Sequence, residues 1–409
     1  YNTERGASKA RKEESPMRVF RIFGLGVVLL ALTTGDSGRV GVAQPDCTIT
    51  VQWGQSIQRA IDQASKGAVI CLDIGVFQEN IFIDRDIILR GTNQEQTVIK
   101  GQKIERPVIS IFGKSEINVV IERLTVSEAK YVRDWGDYDA QGIKITGKPK
   151  VILLNVQVSN NPGDGIVIGN VNEKEDKAAV KIMNVQVLDN GWNGLTIQGA
   201  KSVEIQDSVI RNNKSCGISV YPLWGTQLLG PPNEIRDNGT DLCGYVPAVL
   251  RKPLVPTTTR TLLSVPDDFK SIQEAIDAIA PGGTIMINTG VYEAGITIWK
   301  PVILVGAGRE QTIIQPRPQS KKAISILAEA KNVTIKDLTV RGIDSRGVGM
   351  WVAGQSNFRN IQTSSDIFIT DSAVVDITDS WIFNGFGVNI LGLDNLVGVT
   401  ITGSQITDN

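Results

Sequence analysis

The chain has 409 residues, long enough for two sizeable cores. Its 42 basic and 43 acidic side chains leave a net charge of −1, without the basic stripe by which nucleic-acid binders displace counterions. Glycine is frequent at 41, aromatics are few at 6%, and there is no histidine. That excludes Ser-His-Asp and Cys-His catalysis and every histidine-ligated metal site.

In chain order, residues 1–43 are expected to be a leader and signal peptide. Arg18 and Arg21 precede an apolar run from Ile22 to Leu32, and Gly41-Val42-Ala43 offers a small-residue cleavage point before Gln44. The run is short for a membrane span. The expected product is secreted, periplasmic or on the cell surface, with no stable span after cleavage. Behind such a leader the four cysteines favour disulfides over zinc, since no CxxC spacing occurs. Three pairings are open, and the local pair Cys47–Cys71 with Cys216–Cys243 is the expected one.

A short amphipathic helix follows, with Ile57, Ala60, Ile61 and Ala64 on one face. A glycine turn and short alternating strands come next: 69–72, 81–83 and 87–91. This block recurs 215 residues later. Ser56 to Ile99 aligns without a gap to Ser271 to Ile314, with 19 identities in 44 positions.

A shorter repeat takes over after the first block. Asn155-Val156-Gln157-Val158, Asn184-Val185-Gln186-Val187 and Asp207-Ser208-Val209-Ile210 each lead through an Asn-rich turn to a glycine-led strand at Gly165, Gly194 or Gly217. The second half repeats the device at Asp337, Asp379 and Gly403. Spacings near 23 with three short strands per period describe one coil of a solenoid, which must stack on its neighbours to bury its apolar face. The expected fold is all-β: a right-handed parallel β-helix in two tandem copies, each opened by a short capping helix. The first copy is placed at 44–244 and the second at 263–409. The Pro/Thr-rich stretch 245–262 is expected as a linker. Because 405–409 lead up to a strand that does not follow, the second copy is expected to be truncated.

The run Ser-Ile-Gln-x-Ala-Ile-Asp, then Gly-Val-Phe/Tyr, Ile-x-Ile and Gln-Thr-Val/Ile-Ile resembles the opening of pectin-lyase-like right-handed β-helix proteins, among them pectin methylesterases. The resemblance spans nearly all of Cys47 to Asn409. It implies the fold and carbohydrate as a partner, but not one activity, because this superfamily hosts lyases, esterases, hydrolases and non-catalytic members. The hydrolases' Gly-His-Gly strand is absent, and the esterase motifs do not lie on residues past Gly101 or Pro316. Clustered carboxylates with a nearby base, as in calcium-dependent lyases, have raw material here without the family's motifs.

The strongest chemical candidate is the insertion Arg133-Asp134-Trp135-Gly136-Asp137-Tyr138-Asp139. Asp134, Asp137 and Asp139 offer hard oxygen ligands to a possible Ca²⁺, although no cofactor is required by the sequence. Trp135 and Tyr138 could stack on sugar rings, and Lys130 or Arg133 could meet a uronate carboxylate. A second set lies in the Asn-rich turns: Asp164, Asp189, Trp192, Asn193 and Arg211. Its alternative is structural, because Asn and Asp tolerate left-handed turns and stack as ladders. The strand-leading column Asn155, Asn184, Asp207, Asp337 and Asp379 is assigned to structure. Gly306-Ala307-Gly308 precedes a strand, not a helix, so it is no dinucleotide fingerprint. Asp344, Arg346 and Trp351 are weaker counterparts of the Asp134 loop.

The sequence thus points to a monomeric secreted β-helix protein that binds, and in one version cleaves, an acidic or neutral polysaccharide along the solenoid flank, a pectin- or uronate-like glycan foremost. The cleavage version is a Ca²⁺-assisted lyase reaction with Arg133 or Lys130 as base. The rival readings are a non-catalytic surface or adhesion repeat and a periplasmic metal-delivery β-helix.

Overall fold

The computed structural model describes residues 46–104, 106–130, 140–170, 177–221, 226–244, 246–247, 250–317, 322–342, 348–370, 373–383, 387–391 and 398–407. The signal-peptide expectation, 1–43, therefore lies outside the described residues. Residues from Cys47 onward form one compact unit. Among the described residues nearly every element is a short strand, the strand pairings are parallel, and two seven-residue helices are the exceptions. The molecule is a right-handed parallel β-helix.

Strands up to Thr240–Gly244 pair among themselves in a 13-stranded and a seven-stranded sheet. Strands from Leu262–Val265 onward form three further sheets of seven, six and five strands. Two apolar cores follow these two sets, the first also taking in Leu327 of the second set, and both consist mainly of Ile, Val and Leu from alternate strand positions. Each set opens with a helix: α1 (Ile57–Gln63) and α2 (Ile272–Ala278). Ser56 Oγ accepts from the Arg59 N–H, and Ser271 forms a full capping box with Glu274. Glu79 reaches the start of α1 from two strands away, accepting from Ser56 Oγ at 2.6 Å and the Ile57 N–H at 2.8 Å. Its equivalent in the second set is Ala294, and there Glu274 takes over the task.

The corners between sheets need left-handed backbone. Asn155, Asn184, Asp207, Asp337 and Asp379 all have φ between 50° and 58°, a region that Asn and Asp enter at least cost among residues with a Cβ. The stretch 245–262, expected as a linker, is packed over part of its length. Leu250 is fully buried. Arg251 is buried and forms ion pairs with Asp241 at 3.1 Å and Asp277 at 2.9 Å. This ties the end of the first set to helix α2 of the second.

The first set's seven-stranded sheet and the second set's five-stranded sheet meet along a seam. Strand Thr240–Gly244 lies against Ile296–Ile298, Lys322–Ile326 and Val348–Val352. The Leu242 N–H donates to Thr297 Oγ1 at 3.3 Å. At the tightest point a Cβ on Gly295 would stand 1.5 Å from the Gly239 carbonyl oxygen, so the approach requires glycine.

Candidate functional site

Parallel stacking lines up equivalent residues of successive coils, so each turn generates a column. The buried amides of Asn161, Asn190, Asn213 and Asn238 form one such column. Asn161 Nδ2 donates to Asn190 Oδ1 at 3.0 Å, Asn190 Nδ2 to Asn213 Oδ1 at 2.9 Å, and Asn213 Nδ2 to Asn238 Oδ1 at 2.9 Å. Each also satisfies backbone groups of neighbouring coils. This ladder is internal and unavailable to a ligand.

The sequence candidates sort around it. Asp189 and Arg211 precede the asparagine of their turn, while Asp164 and Asn193 follow it. Asp189 is exposed with φ 55°, and its N–H donates to the Arg211 carbonyl. Arg211 is half-buried, with its Nε lacking a hydrogen-bond partner among the described residues. Trp192 is 37% exposed at the corner. Lys130 is exposed next to Ala129, whose N–H donates to Asn161 Oδ1. Arg133, Asp134, Trp135, Asp137, Tyr138 and Asp139, with the Ca²⁺ site assigned to them, lie outside the described residues, as do Asp344 and Arg346.

Asp164 and Asn193 are brought together at the edge of the seam. Asp164 Oδ1 accepts from the Asn193 N–H at 2.8 Å, and Oδ2 accepts from Thr196 Oγ1 at 2.9 Å. Burial pushes the Asp164 carboxyl up to about 6, against the pull of those hydrogen bonds and of the Lys322 charge. Lys322, from the opposite side of the seam, is the reciprocal case. Burial brings its ammonium down to about 8, while Asp164 holds it up. Its Nζ lies 4.4 Å from the centre of the Trp351 ring and 3.2 Å from Cys216 Sγ.

Outward from Lys322, the five-stranded sheet carries the column Thr297, Ser325, Trp351, Phe368 and Asn389, each in register with the next. Trp351 and Phe368 stack at 6.1 Å, and Tyr221 meets Trp351 edge-on at 6.5 Å across the seam. Three polar atoms in this column are buried with no hydrogen-bond partner among the described residues: Ser325 Oγ, Trp351 Nε1 and Asn389 Nδ2. Buried polar groups are rarely left so.

Sequence reasoning located Asp164, Asn193 and Trp351. It missed Lys322, Tyr221, Thr196 and Phe368. The signal that could have found Phe368 and Trp351 together is their shared outward position, where a β-helix strand ordinarily presents a solvated side chain. Lys322 offered no signal, because its role depends on a partner more than 150 residues away.

Both disulfides form as expected, Cys47–Cys71 and Cys216–Cys243, and no cysteine is free. Among the described residues no group of three or more acidic or cysteine side chains is placed to hold a metal ion, and no helix is long and apolar enough to cross a membrane.

A family model described as the right-handed beta helix region matches residues 68–222. No curated protein matches the chain. Among solved structures, the A-module of Azotobacter vinelandii mannuronan C-5 epimerase AlgE6 is 13% identical, covering 86% of this chain and 94% of its own, with a TM-score of 0.41. Carrot pectin methylesterase is 9% identical, with 90% of each chain covered and a TM-score of 0.34. A catalytic domain of GH87 alpha-1,3-glucanase is 15% identical over 89% of this chain and 70% of its own, with a TM-score of 0.35. At that level of likeness no chemistry carries over to this chain.

Proposed function

We propose that this is a secreted β-helix protein that binds an acidic polysaccharide, with a uronate residue seated at the seam. The observation that carries this reading is the stacked Trp351–Phe368 pair on the outer face with the Lys322 ammonium beside it. Such a strip offers aromatic faces to sugar C–H groups and one cation to a carboxylate. Two disulfides suit an oxidising compartment.

A second reading rests on Asp164 and Lys322 being displaced toward neutrality from opposite sides. Pairs of titrating groups with separated values are the usual signature of acid–base work. In a β-elimination the Asp164 carboxylate would take the proton next to the uronate carboxylate, the electrons would form the ring double bond, and the glycosidic C–O bond would break. Lys322 would protonate the departing oxygen. This assigns the base role to Asp164 in place of Arg133 or Lys130.

The test is titration of the full chain with polygalacturonate and polymannuronate, with absorbance followed at 235 nm. The Lys322→Met and Trp351→Ala variants should each weaken polyuronate binding by at least about tenfold, roughly 1.4 kcal/mol. Wild-type protein that binds no polyuronate would sink the proposal. Binding without 235-nm product would leave the chain a lectin-like binder and remove the second reading. If elimination occurs, its rate should follow a bell between about pH 6 and 8.

A further inference from the structure

The block repeated at an offset of 215 residues builds the same groove twice, at the capped end of each set of coils. In the second set the groove is lined by Lys270, Ser271, Val291, Tyr292, Glu293 and Arg317. Their equivalents, Gln55, Ser56, Val76, Phe77, Gln78 and Gln102, line the groove of the first set. The two grooves differ in what faces them. The second is walled by the last turn of the first set, Arg236 to Asp241, and holds about 250 Å³. Arg317 Nη1 donates to the Asn238 carbonyl across that wall. The first groove holds about 580 Å³, inside the ~300–1,000 Å³ range of small-molecule sites.

The open groove has its own aromatic. Trp53 is 71% exposed and lies over Gly75, where a Cβ would stand 2.6 Å from the indole Cδ1. Its equivalent, Asp268, instead closes a turn with Arg260 and the Ser264 N–H. The exposed side-chain amides of Gln78 and Gln102 make no hydrogen bond among the described residues. Among the described residues Glu79 is the one charged group lining the groove, and its carboxylate is already engaged by Ser56 Oγ and the Ile57 N–H. An exposed indole face flanked by free amides matches a ring with one apolar face and hydroxyls around its edge. A carboxylate with no lining cation disfavours an anion.

We propose that the groove around Trp53 is a separate binding site for a neutral pyranose of a glycan. The inference shares with the seam the premise that the ligand is a carbohydrate, but none of its residues. The deciding experiment titrates the full chain with cellohexaose, mannohexaose, laminarihexaose and xylohexaose, alongside polygalacturonate and polymannuronate. At least one neutral hexasaccharide should bind, Trp53→Ala should weaken it at least tenfold, and polyuronate binding should not change. The Gln78→Ala/Gln102→Ala double variant, which leaves Trp53 and its packing intact, should weaken the same sugar and serves if Trp53→Ala does not fold. Lys322→Met should leave neutral-sugar binding as it is. The proposal is overturned if no neutral hexasaccharide binds, if both groove variants bind it like wild type, or if wild-type protein self-associates and Trp53→Ala abolishes that instead. Failure of the seam reading is visible separately, as loss of polyuronate binding alone.

Discussion

The Asp164 carboxyl and the Lys322 ammonium set opposite pH signatures. Asp164 titrates at about 6, above the ordinary carboxylate value, so its favourable contribution is complete below about pH 4 and is lost as pH rises through 6. Lys322 titrates at about 8, below the ordinary ammonium value of 10.5. Its contribution is complete above that ordinary value and is lost as pH falls through 8. Between 6 and 8 both groups are charged and both desolvation costs apply. Asp164→Asn removes the first. Wild-type stability minus that of Asp164→Asn should fall by about 2–3 kcal/mol between pH 4 and 6, from a two-unit displacement at 1.36 kcal/mol each. Denaturant unfolding at several pH values measures it, and a flat difference would mean the carboxyl is solvated.

At the scale of elements, the asparagine ladder holds successive coils in register. Asn190 accepts from the Asn161 N–H and Nδ2 and donates to the Val158 carbonyl and Asn213. Asn190→Ala removes a bond from four buried groups, of which Asn161 Nδ2 and Asn213 Oδ1 keep another partner, and should cost about 2–4 kcal/mol. The exposed neighbour Lys214→Ala should stay within about 0.5 kcal/mol in the same chemical denaturation. The coils themselves were legible in the sequence because their signal is local. Glycine-led strands, Asn turns and apolar alternation all fall within one period of about 23 residues. The ladder's inward direction was not legible, since an Asn that tolerates a left-handed turn and one that stacks inside the coil have the same sequence signature. Asp277 shows the same limit. It repeats Asp62 in the duplicated motif, yet Asp62 receives an exposed hydrogen bond from Gln58 while Asp277 is buried against Arg251.

At the scale of the molecule, what escaped the sequence was the seam. It joins residues far apart along the chain, and no periodicity encodes which outer faces meet. Gly295 is its most sensitive point. Gly295→Val would drive a side chain into the Gly239 carbonyl, and should part the two sets while leaving each one's strands paired. Far-ultraviolet circular dichroism should be unchanged, new proteolytic cleavage should occur within 246–262, and polyuronate binding should weaken in parallel. Unchanged protease resistance would show that the seam absorbs the bulk. The paired cap grooves carry a consequence for the history of the chain. Once a duplication placed one coil stack against the other, the downstream groove was plugged by its own neighbour and released from any demand to hold a ligand. There Arg317 for Gln102 bonds across to the first set through the Asn238 carbonyl, while Asp268 for Trp53 and Glu293 for Gln78 bond within the second set. The upstream groove, with no described residue of another coil stack seated on it, carries the tryptophan and the amides.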